Sequence, residues 1–353
     1  MGSGDRRDRE RIRLSGGLRR RRGLRAARNG AGPHDPAIAR TGSRQMTNAP
    51  LKVLCITGWC RNGSTIMGNI LNEIPDFFHV GELHFLWKNA AGRGANESCG
   101  CGRKLVECPF WSTILPIGRP AGFSMQAHAD VVIRRQLGNV RTRHTWQVLG
   151  RGLHNEEIRA HADLMTRVYR AIAERSESRV IVDTTKIPGE AALLGYLDGI
   201  VPYYVHLVRD PRAVAQSWSR PKEYVYTMSP AKSTGYWSGF NLASHAITRR
   251  HPERSMFLRY EDFIADPAGT VDDLLRLCET DPSANPLTDR TIELRANHTV
   301  TGNPDRFNTG VTVIRPTDDT WRTALPKSAR TTVATLSWPL LRRYGYTDRN
   351  GRA

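Results

Sequence analysis

Residues 51–74 read LKVLCITGWCRNGSTIMGNILNEI and contain three consecutive structural signals. Leu51–Thr57 is a short apolar run with β-branched residues, bounded by Gly58, which predicts a buried strand. In Ser64–Ile74 the apolar residues recur at helical spacing and Pro75 follows, which predicts a helix. A strand, a glycine-bounded loop and a helix therefore open the folded part of the chain.

Short apolar runs alternate with helical patterns through the rest of the chain. Strands separated by helices form βαβ units, so this alternation predicts a parallel sheet. The expected fold is α/β: a three-layer, P-loop-like domain with a central parallel β-sheet flanked by helices. Ligands of such sheets bind beyond the carboxyl ends of the strands, where we therefore look for functional residues. Further strands are predicted at 179–182, 203–208 and 255–260, and helices within 125–176 and at 191–197, 213–217 and 270–278.

Positive charge is concentrated at the start of the chain. The formal net charge is +18, and residues 1–46, with thirteen Arg and four acidic residues, hold half of it. This segment is rich in Gly and has almost no periodic apolar residues. We therefore expect a disordered Arg-rich tail at 1–46 and a folded domain at 47–349. We interpret residues 1–45 as an extension upstream of a start at Met46; the alternative is an arm that binds RNA or a membrane.

The composition favours a cytoplasmic protein. The basic run Arg19–Arg22 is not followed by an apolar segment, so we expect no secretory signal. No run approaches the roughly 18 consecutive apolar residues of a membrane span. Six cysteines in 353 residues, without those signals, are typical of a reducing compartment.

The loop Gly58–Thr65, GWCRNGST, has the G-x4-G spacing of a phosphate-binding loop. In a nucleoside triphosphatase a Lys follows the second Gly, whereas this chain has Ser64 there. Backbone amides at the start of the next helix can still bind an anion, which suits a donor with a terminal sulfate and no triphosphate. An ordinary glycine-bounded turn is the alternative. The residues expected to bind the donor here are Arg61, Asn62, Gly63, Ser64 and Thr65.

A second phosphate site is predicted where the strand at 203–208 ends. Arg209 follows that strand, Asp210 is a candidate N-cap, and Pro211 fits the first helical turn. Ser217 lies about two turns into this helix. An Arg fork and a hydroxyl group suit a terminal phosphate monoester, although a surface Arg and a solvent-facing Ser would give the same pattern.

Three segments in this order resemble the sulfotransferase superfamily. They are CRNGST at 60–65, RDPRAVAQS at 209–217 and RYEDF at 259–263. The resemblance covers about residues 51–267, and Trp321–Tyr346 is similar to the C-terminal helices of the family. Arg61 stands where Lys is commoner in cytosolic members, and Asn-Gly-Ser follows where Ser-Gly-Thr is commoner.

The resemblance implies a donor, 3′-phosphoadenosine-5′-phosphosulfate, whose sulfuryl group is moved to an acceptor hydroxyl. In the family the first segment holds the 5′-phosphosulfate, and the positions of Arg209 and Ser217 hold the 3′-phosphate. The third segment is a structural signature. No metal requirement is expected, because no carboxylate set suited to Mg²⁺ accompanies the loop.

The resemblance also implies the catalytic residues Glu82, Lys186 and Arg61. Glu82, in HVGEL, resembles the general base of tyrosylprotein-type members. Lys186 resembles a Lys that steadies the bridging oxygen of the leaving phosphate, while Arg61 would stabilise developing charge. Alternatively, Glu82 is a helix-terminal acid and Lys186 a surface lysine. His79 and His84 are other candidate bases, which rank below Glu82 because no sequence feature orients them.

A late segment, GNPDR at 302–306, resembles a loop that caps the adenine and 3′-phosphate in some branches. Gly302 would supply the turn and Arg306 a second cation for the donor. An Asn-Pro turn with a solvent-facing Arg is the alternative.

Cys99, Cys101 and Cys108 form a C-x-C-x6-C pattern. It offers three soft ligands, one fewer than a closed zinc site, and His84 or another residue could supply the fourth. Because the usual paired C-x2-C spacing is missing, we expect a Gly/Cys loop with free thiols and no metal.

The acceptor is left open by the sequence. Segments 93–176 and 220–244 are expected to build its pocket, which would suit a small molecule, a lipid, or a glycan or peptide hydroxyl equally well. The alternative function is a P-loop kinase or other nucleotide-dependent phosphotransferase. Nucleic-acid binding through the tail is a third possibility, although nucleic acid is not the expected partner. The aromatic residues expected in the pocket are Tyr224, Tyr226, Tyr236 and Trp237.

Overall fold

The structure is a computed structural model that describes residues 49–220, 227–316 and 319–347. The described residues belong to one compact unit. The tail expected at 1–46 and the candidate pocket residues Tyr224 and Tyr226 lie outside the described residues. In the described part of the chain, no helix is long and apolar enough to cross a membrane.

Five parallel strands form a central sheet. They are β1 (Leu51–Thr57), β2 (Phe77–Gly81), β3 (Val180–Asp183), β4 (Ile200–Val208) and β5 (Ser255–Arg259), in the spatial order β2-β3-β1-β4-β5. β1 pairs in parallel with β3 on one side and β4 on the other. These central strands are rich in Val, Ile and Leu, as expected of parallel strands buried on both faces. A separate antiparallel pair comprises β6 (Thr291–Leu294) and β7 (Gly310–Val313).

Helices connect the strands and cover the sheet. Those before β3 are α1 (Ser64–Leu71), α2 (Leu86–Ala90), α3 (Trp111–Ile114), α4 (Met125–Asn139), α5 (Thr145–Arg151) and α6 (Glu156–Ser176). Those after β3 are α7 (Pro188–Leu193), α8 (Pro211–Ser219), α9 (Pro230–Arg250), α10 (Tyr260–Ala265), α11 (Pro267–Leu277), α12 (Trp321–Ala324) and α13 (Lys327–Arg343).

Successive residues of β1 face opposite sides of the sheet, as the pleat of a strand requires. Val53 and Cys55 belong to a core that includes residues of α4 and α6. Leu54 and Ile56 belong to a second core, which includes residues of α1 and α11. The sheet is thus covered by helices on both faces. This three-layer α/β arrangement confirms the expected fold class.

Most predicted elements are present with shifted ends. β1 matches its prediction residue for residue, whereas α1 ends at Leu71, three residues before the predicted end. β4 begins at Ile200 rather than at 203, because the strand continues through Pro202. β2, with the sequence FFHVG, was not predicted. It is short, includes a His and a Gly, and follows α1 too closely for a separate pattern to emerge.

The parallel order places four strand ends at one edge of the sheet. Beyond this edge lie the loop after β1, Glu82 after β2, Lys186 after β3 and Arg209 after β4. The expected site residues from four segments therefore start from neighbouring strands.

Candidate active site

Close contacts restrict which residues can occupy the loop between β1 and α1. Gly63 has a φ of 89°, and a Cβ there would lie 2.4 Å from the ring of Tyr260. Asn62 is only 1% exposed and donates from Nδ2 to the carbonyl oxygen of Leu207, in β4, at 2.7 Å. Its Oδ1 accepts from the backbone amide of Ser64 at 3.3 Å. The side chain of Asn62 therefore holds the loop against the end of β4.

The amino end of α1 faces this loop. Gly63 is its N-cap and supplies no side-chain hydrogen bond to the first turn. The start of this helix can therefore bind an anion through its backbone amides. Thr65, in the first turn, accepts a hydrogen bond from the backbone amide of Asn303 at 3.3 Å, so the late segment closes over the helix start.

Arg61 is partly exposed in this loop. Its φ is 72°, its guanidinium lies 5.0 Å from the ring of Trp218, and its Nη1 donates to Oδ1 of Asn303 at 3.1 Å. The aromatic ring and the amide hold this cation in one place beside the helix terminus. This is the position from which a cation can neutralise an anion bound to the loop.

Arg209 is half-buried beside the same loop. Its Nη1 donates to the carbonyl oxygen of Arg61 at 3.2 Å, and its guanidinium lies 4.5 Å from the ring of Tyr260. Its buried Nε has no hydrogen-bond partner among the described residues. A buried N–H without a partner is costly, which is explained if a bound anion completes the site. Ser217 is half-buried in α8, and its side chain makes no hydrogen bond within the described part of the chain.

The RYEDF segment and the C-terminal region hold the start of α8 in place. Glu261 accepts from the backbone amide of Asp210 at 3.1 Å and from the hydroxyl of Tyr346 at 2.7 Å. Burial raises the pKa of Glu261. Asp210 in turn pairs with Arg212 at 2.7 Å in the protein interior. These contacts fix the chain on the C-terminal side of Arg209.

The buried Lys186 forms an ion pair with the partly buried Glu82. Nζ of Lys186 lies 2.7 Å from Oε1 of Glu82 and also donates to the carbonyl oxygen of Thr184 at 2.8 Å. Burial tends to lower the pKa of Lys186, but the charge and hydrogen bond of Glu82, together with Cys60 and Asp183, outweigh burial and the pKa is raised. Two residues expected to act in catalysis are thus brought together, with Lys186 charged.

His84 is oriented by a buried carboxylate. Its Nδ1 lies 2.8 Å from Oε1 of Glu190, and Nε2 of His161 lies 3.2 Å from each oxygen of the same carboxylate. Burial opposes ionisation of Glu190, but the two histidines hold its pKa well below its usual range. An ionised carboxylate can only accept hydrogen bonds, so Nδ1 of His84 is the donor in this contact, and the ring is held in one orientation. Our expectation that nothing orients His84 is therefore corrected by this contact.

Two other candidates lie in the interior. His79 is 1% exposed, and burial lowers its pKa to about 3, so its ring is neutral and remote from solvent. Arg306 is also 1% exposed and donates from Nη1 to the carbonyl oxygen of Thr299 at 2.9 Å and from Nη2 to that of Ser98 at 2.8 Å. The segment at 302–306 contacts the phosphate loop through Asn303. Arg306 instead holds the segment in place through hydrogen bonds in the protein interior.

A cavity of about 940 Å³ lies beside α9 and is reached from the phosphate loop through one aromatic contact. His84, Tyr236 and Phe240 are among its lining residues. Trp59, in the loop, stacks on Tyr236 with ring centroids 5.1 Å apart and an interplanar angle of 8°. Trp237 does not line the cavity: it is 1% exposed and donates to the carbonyl oxygen of Arg209 at 3.0 Å. The aromatic contact therefore places the phosphate loop next to a space large enough for a small molecule.

Comparison with known proteins identifies a family for part of the chain. The model of the Sulfotransferase family matches residues 113–283, which contain Lys186, Arg209 and Ser217 but not the phosphate loop. No match was found among curated proteins.

Several solved structures are similar to this chain. The sulfotransferase domain of the olefin synthase from Synechococcus PCC 7002 is 18% identical, with a TM-score of 0.47 over 83% of this chain and 95% of that one. The sulfotransferase domain from the curacin biosynthetic pathway is also 18% identical, with a TM-score of 0.47 over 83% and 97% of the two chains. Sulfotransferase STF9 from Mycobacterium avium is 13% identical, with a TM-score of 0.40 over 84% and 78%.

We predict that Glu190→Gln makes the protein less stable near neutral pH and makes that stability less dependent on acid pH. Because the folded-state pKa of Glu190 is depressed, its ionised form stabilises the fold above its ordinary value of 4.5, and this contribution is lost as the pH falls below it. Urea unfolding from pH 7 to pH 3 measures both effects, with the exposed Glu253→Gln as the control. Parallel pH profiles for wild type and Glu190→Gln would contradict the assignment of an ionised Glu190.

Proposed function

We propose that the chain is a sulfotransferase, since the Sulfotransferase family model matches residues 113–283, and that it transfers the sulfuryl group of 3′-phosphoadenosine-5′-phosphosulfate to an acceptor hydroxyl. The observation that carries the choice of donor is the buried, unpartnered Nε of Arg209 beside a phosphate loop in which Ser64 replaces the usual Lys. These two features fit a nucleotide with one phosphate at the 3′ position and a phosphosulfate, not a triphosphate, at the 5′ position.

The donor's two anionic groups would occupy neighbouring parts of the strand-end edge. The 5′-phosphosulfate would bind the amides at the start of α1 and the guanidinium of Arg61. The 3′-phosphate would bind Arg209, whose free Nε and fork geometry suit a phosphate, and Ser217 would add a hydroxyl donor. Tyr260 supports this arrangement, because its ring contacts both Arg209 and the site of Gly63.

The reaction is taken as an in-line displacement at sulfur, by analogy with phosphoryl transfer. Negative charge then develops on the oxygen that bridges the phosphate and the departing sulfuryl group. Lys186 is buried and charged, so it is suited to stabilise this oxygen. Arg61 would act on the same charge from the loop side. No protein side chain need form a covalent bond with the sulfuryl group.

Two residues are candidates for the base that takes the proton of the acceptor. Glu82 was expected from the sequence, but its carboxylate is already engaged by Lys186 at 2.7 Å. His84 lines the cavity and has its Nδ1 held by Glu190, an arrangement typical of an oriented general base. We therefore assign proton removal to His84 and the positioning of Lys186 to Glu82.

The cavity beside the loop is the proposed acceptor site. Its aromatic residues Tyr236, Phe240 and Trp146 offer apolar walls, while His84 offers the polar group that would meet the reacting hydroxyl. Because Trp59 of the loop stacks on Tyr236, an acceptor in this cavity would lie beside the donor.

We predict that Arg209→Ala weakens binding of adenosine 3′,5′-bisphosphate, the product of the donor, about 10- to 100-fold. This is the effect of losing charge-assisted hydrogen bonds to one phosphate. Isothermal titration calorimetry measures it, with the exposed Arg276→Ala as a matched control that should bind like the wild type. Mg-ATP should not bind. Equal affinities for wild type and Arg209→Ala, or tighter binding of Mg-ATP, would refute the donor site and favour a kinase.

We predict that His84→Asn lowers kcat about 10²- to 10⁴-fold for a weakly acidic phenol, the range typical of a lost general base. For 4-nitrophenol, which ionises without help near neutral pH, the loss should be much smaller. The measurement is sulfation of both phenols with radiolabelled donor. Glu82→Gln serves as the comparison and should slow the two phenols equally, since its role is to hold Lys186. The opposite pattern, in which only Glu82→Gln shows a loss that depends on the phenol, would identify Glu82 as the general base.

A further inference from the structure

Three cysteines and one histidine converge at a site that the proposed reaction does not use. The sulfur atoms of Cys99, Cys101 and Cys108 and a ring nitrogen of His298 all lie within 4.8 Å of one another. Cys99, Cys108 and His298 are buried, and Cys101 is partly exposed. None of the three cysteines forms a disulfide. His298 is the fourth group that the sequence pattern lacked.

Four of the six distances between these ligand atoms match those of a tetrahedral zinc site. Sγ of Cys108 lies 3.6 Å from Sγ of Cys99 and 3.8 Å from Sγ of Cys101. Nδ1 of His298 lies 3.3 Å from Sγ of Cys108 and 3.5 Å from Sγ of Cys99. Zinc bonds of about 2.3 Å to sulfur and about 2.0 Å to nitrogen, at tetrahedral angles, separate two sulfur ligands by about 3.8 Å and a sulfur from a nitrogen by about 3.5 Å. The four side chains therefore already surround a space of the right size.

The backbone presents these groups in a fixed orientation. A tight turn carries Cys99 and Cys101: the amide of Cys99 donates to the carbonyl oxygen of Arg103 at 2.8 Å, and Gly102 adopts a φ of 84°. Trp111 donates from Nε1 to the carbonyl oxygen of His298 at 2.5 Å. The His298 ring also stacks on Phe110, with centroids 5.3 Å apart. Supporting contacts of this kind orient the ligands of metal sites.

We propose that Cys99, Cys101, Cys108 and His298 bind one zinc ion. Three thiolates and an imidazole are a ligand set that selects zinc among the common divalent metals. All four positions are filled by protein, so no coordination position is left for a substrate. The site is therefore structural rather than catalytic.

The zinc site would connect the cysteine turn to residues 298–306, which include the late segment that contacts the phosphate loop. The amide of Gly100, between two of the ligands, donates to the carbonyl oxygen of Thr299 at 2.9 Å. Arg306 donates to the carbonyl oxygen of Ser98 on the same turn, at 2.8 Å. Asn303, in the same late segment, contacts Arg61. A metal ion at His298 would therefore stiffen the segment that covers the loop.

The direct test is the metal content of the full-length protein, expressed in zinc-supplemented medium and passed over a chelating resin. Mass spectrometry should find about one zinc per chain in the wild type. Cys101→Ala, which alters the most exposed ligand, should retain much less. Cys278→Ala, at a buried cysteine outside the cluster, is the matched control and should retain about one.

A second measurement keeps the test independent of whether Cys101→Ala folds well. Cobalt(II) added to the unmutated, zinc-depleted protein should give intense visible bands of a tetrahedral site and thiolate-to-metal charge-transfer bands, and zinc should abolish both. These spectra require neither donor nor acceptor, so they remain informative if the proposed reaction is wrong. A wild-type protein that contains no zinc and shows no thiolate bands with cobalt would overturn the proposal.

Discussion

The buried hydrogen bond from Asn62 to the carbonyl oxygen of Leu207 joins the two halves of the proposed donor site. Asn62 belongs to the loop after β1, and Leu207 lies two residues before Arg209 in the neighbouring strand. Since both groups are excluded from water, breaking the bond would leave two buried polar groups unsatisfied. The loop is thereby held at a fixed separation from Arg209. A rigid spacing is what recognition of a donor with two separate phosphate groups requires.

The parts of the site that follow strands directly could be predicted from sequence. The phosphate loop and Arg209 each adjoin a strong apolar run, and a parallel sheet brings such strand ends together. The family resemblance, rather than a predicted strand end, implied that Glu82 shares a site with Lys186, and the two side chains contact each other. Their roles were not predictable, because the ion pair that occupies Glu82 involves residues about a hundred positions apart.

The remaining features depend on contacts that no local pattern contains. Glu190 orients His84 from the amino end of α7, 106 residues further along the chain. His298 completes the cysteine cluster from a position 190 residues after Cys108. The sequence around Arg306 predicted that it binds the sulfuryl donor, yet its guanidinium donates hydrogen bonds to carbonyl groups inside the protein. These roles depend on tertiary contacts between distant residues, which cannot be read from a single sequence.

The central claim is that one edge of the sheet binds both phosphates of the donor. A crystal structure of the protein with adenosine 3′,5′-bisphosphate would test it most directly. The account predicts the 5′-phosphate at the start of α1 beside Arg61, and the 3′-phosphate on the guanidinium of Arg209. A nucleotide bound elsewhere, or bound with its 3′-phosphate away from Arg209, would contradict the account.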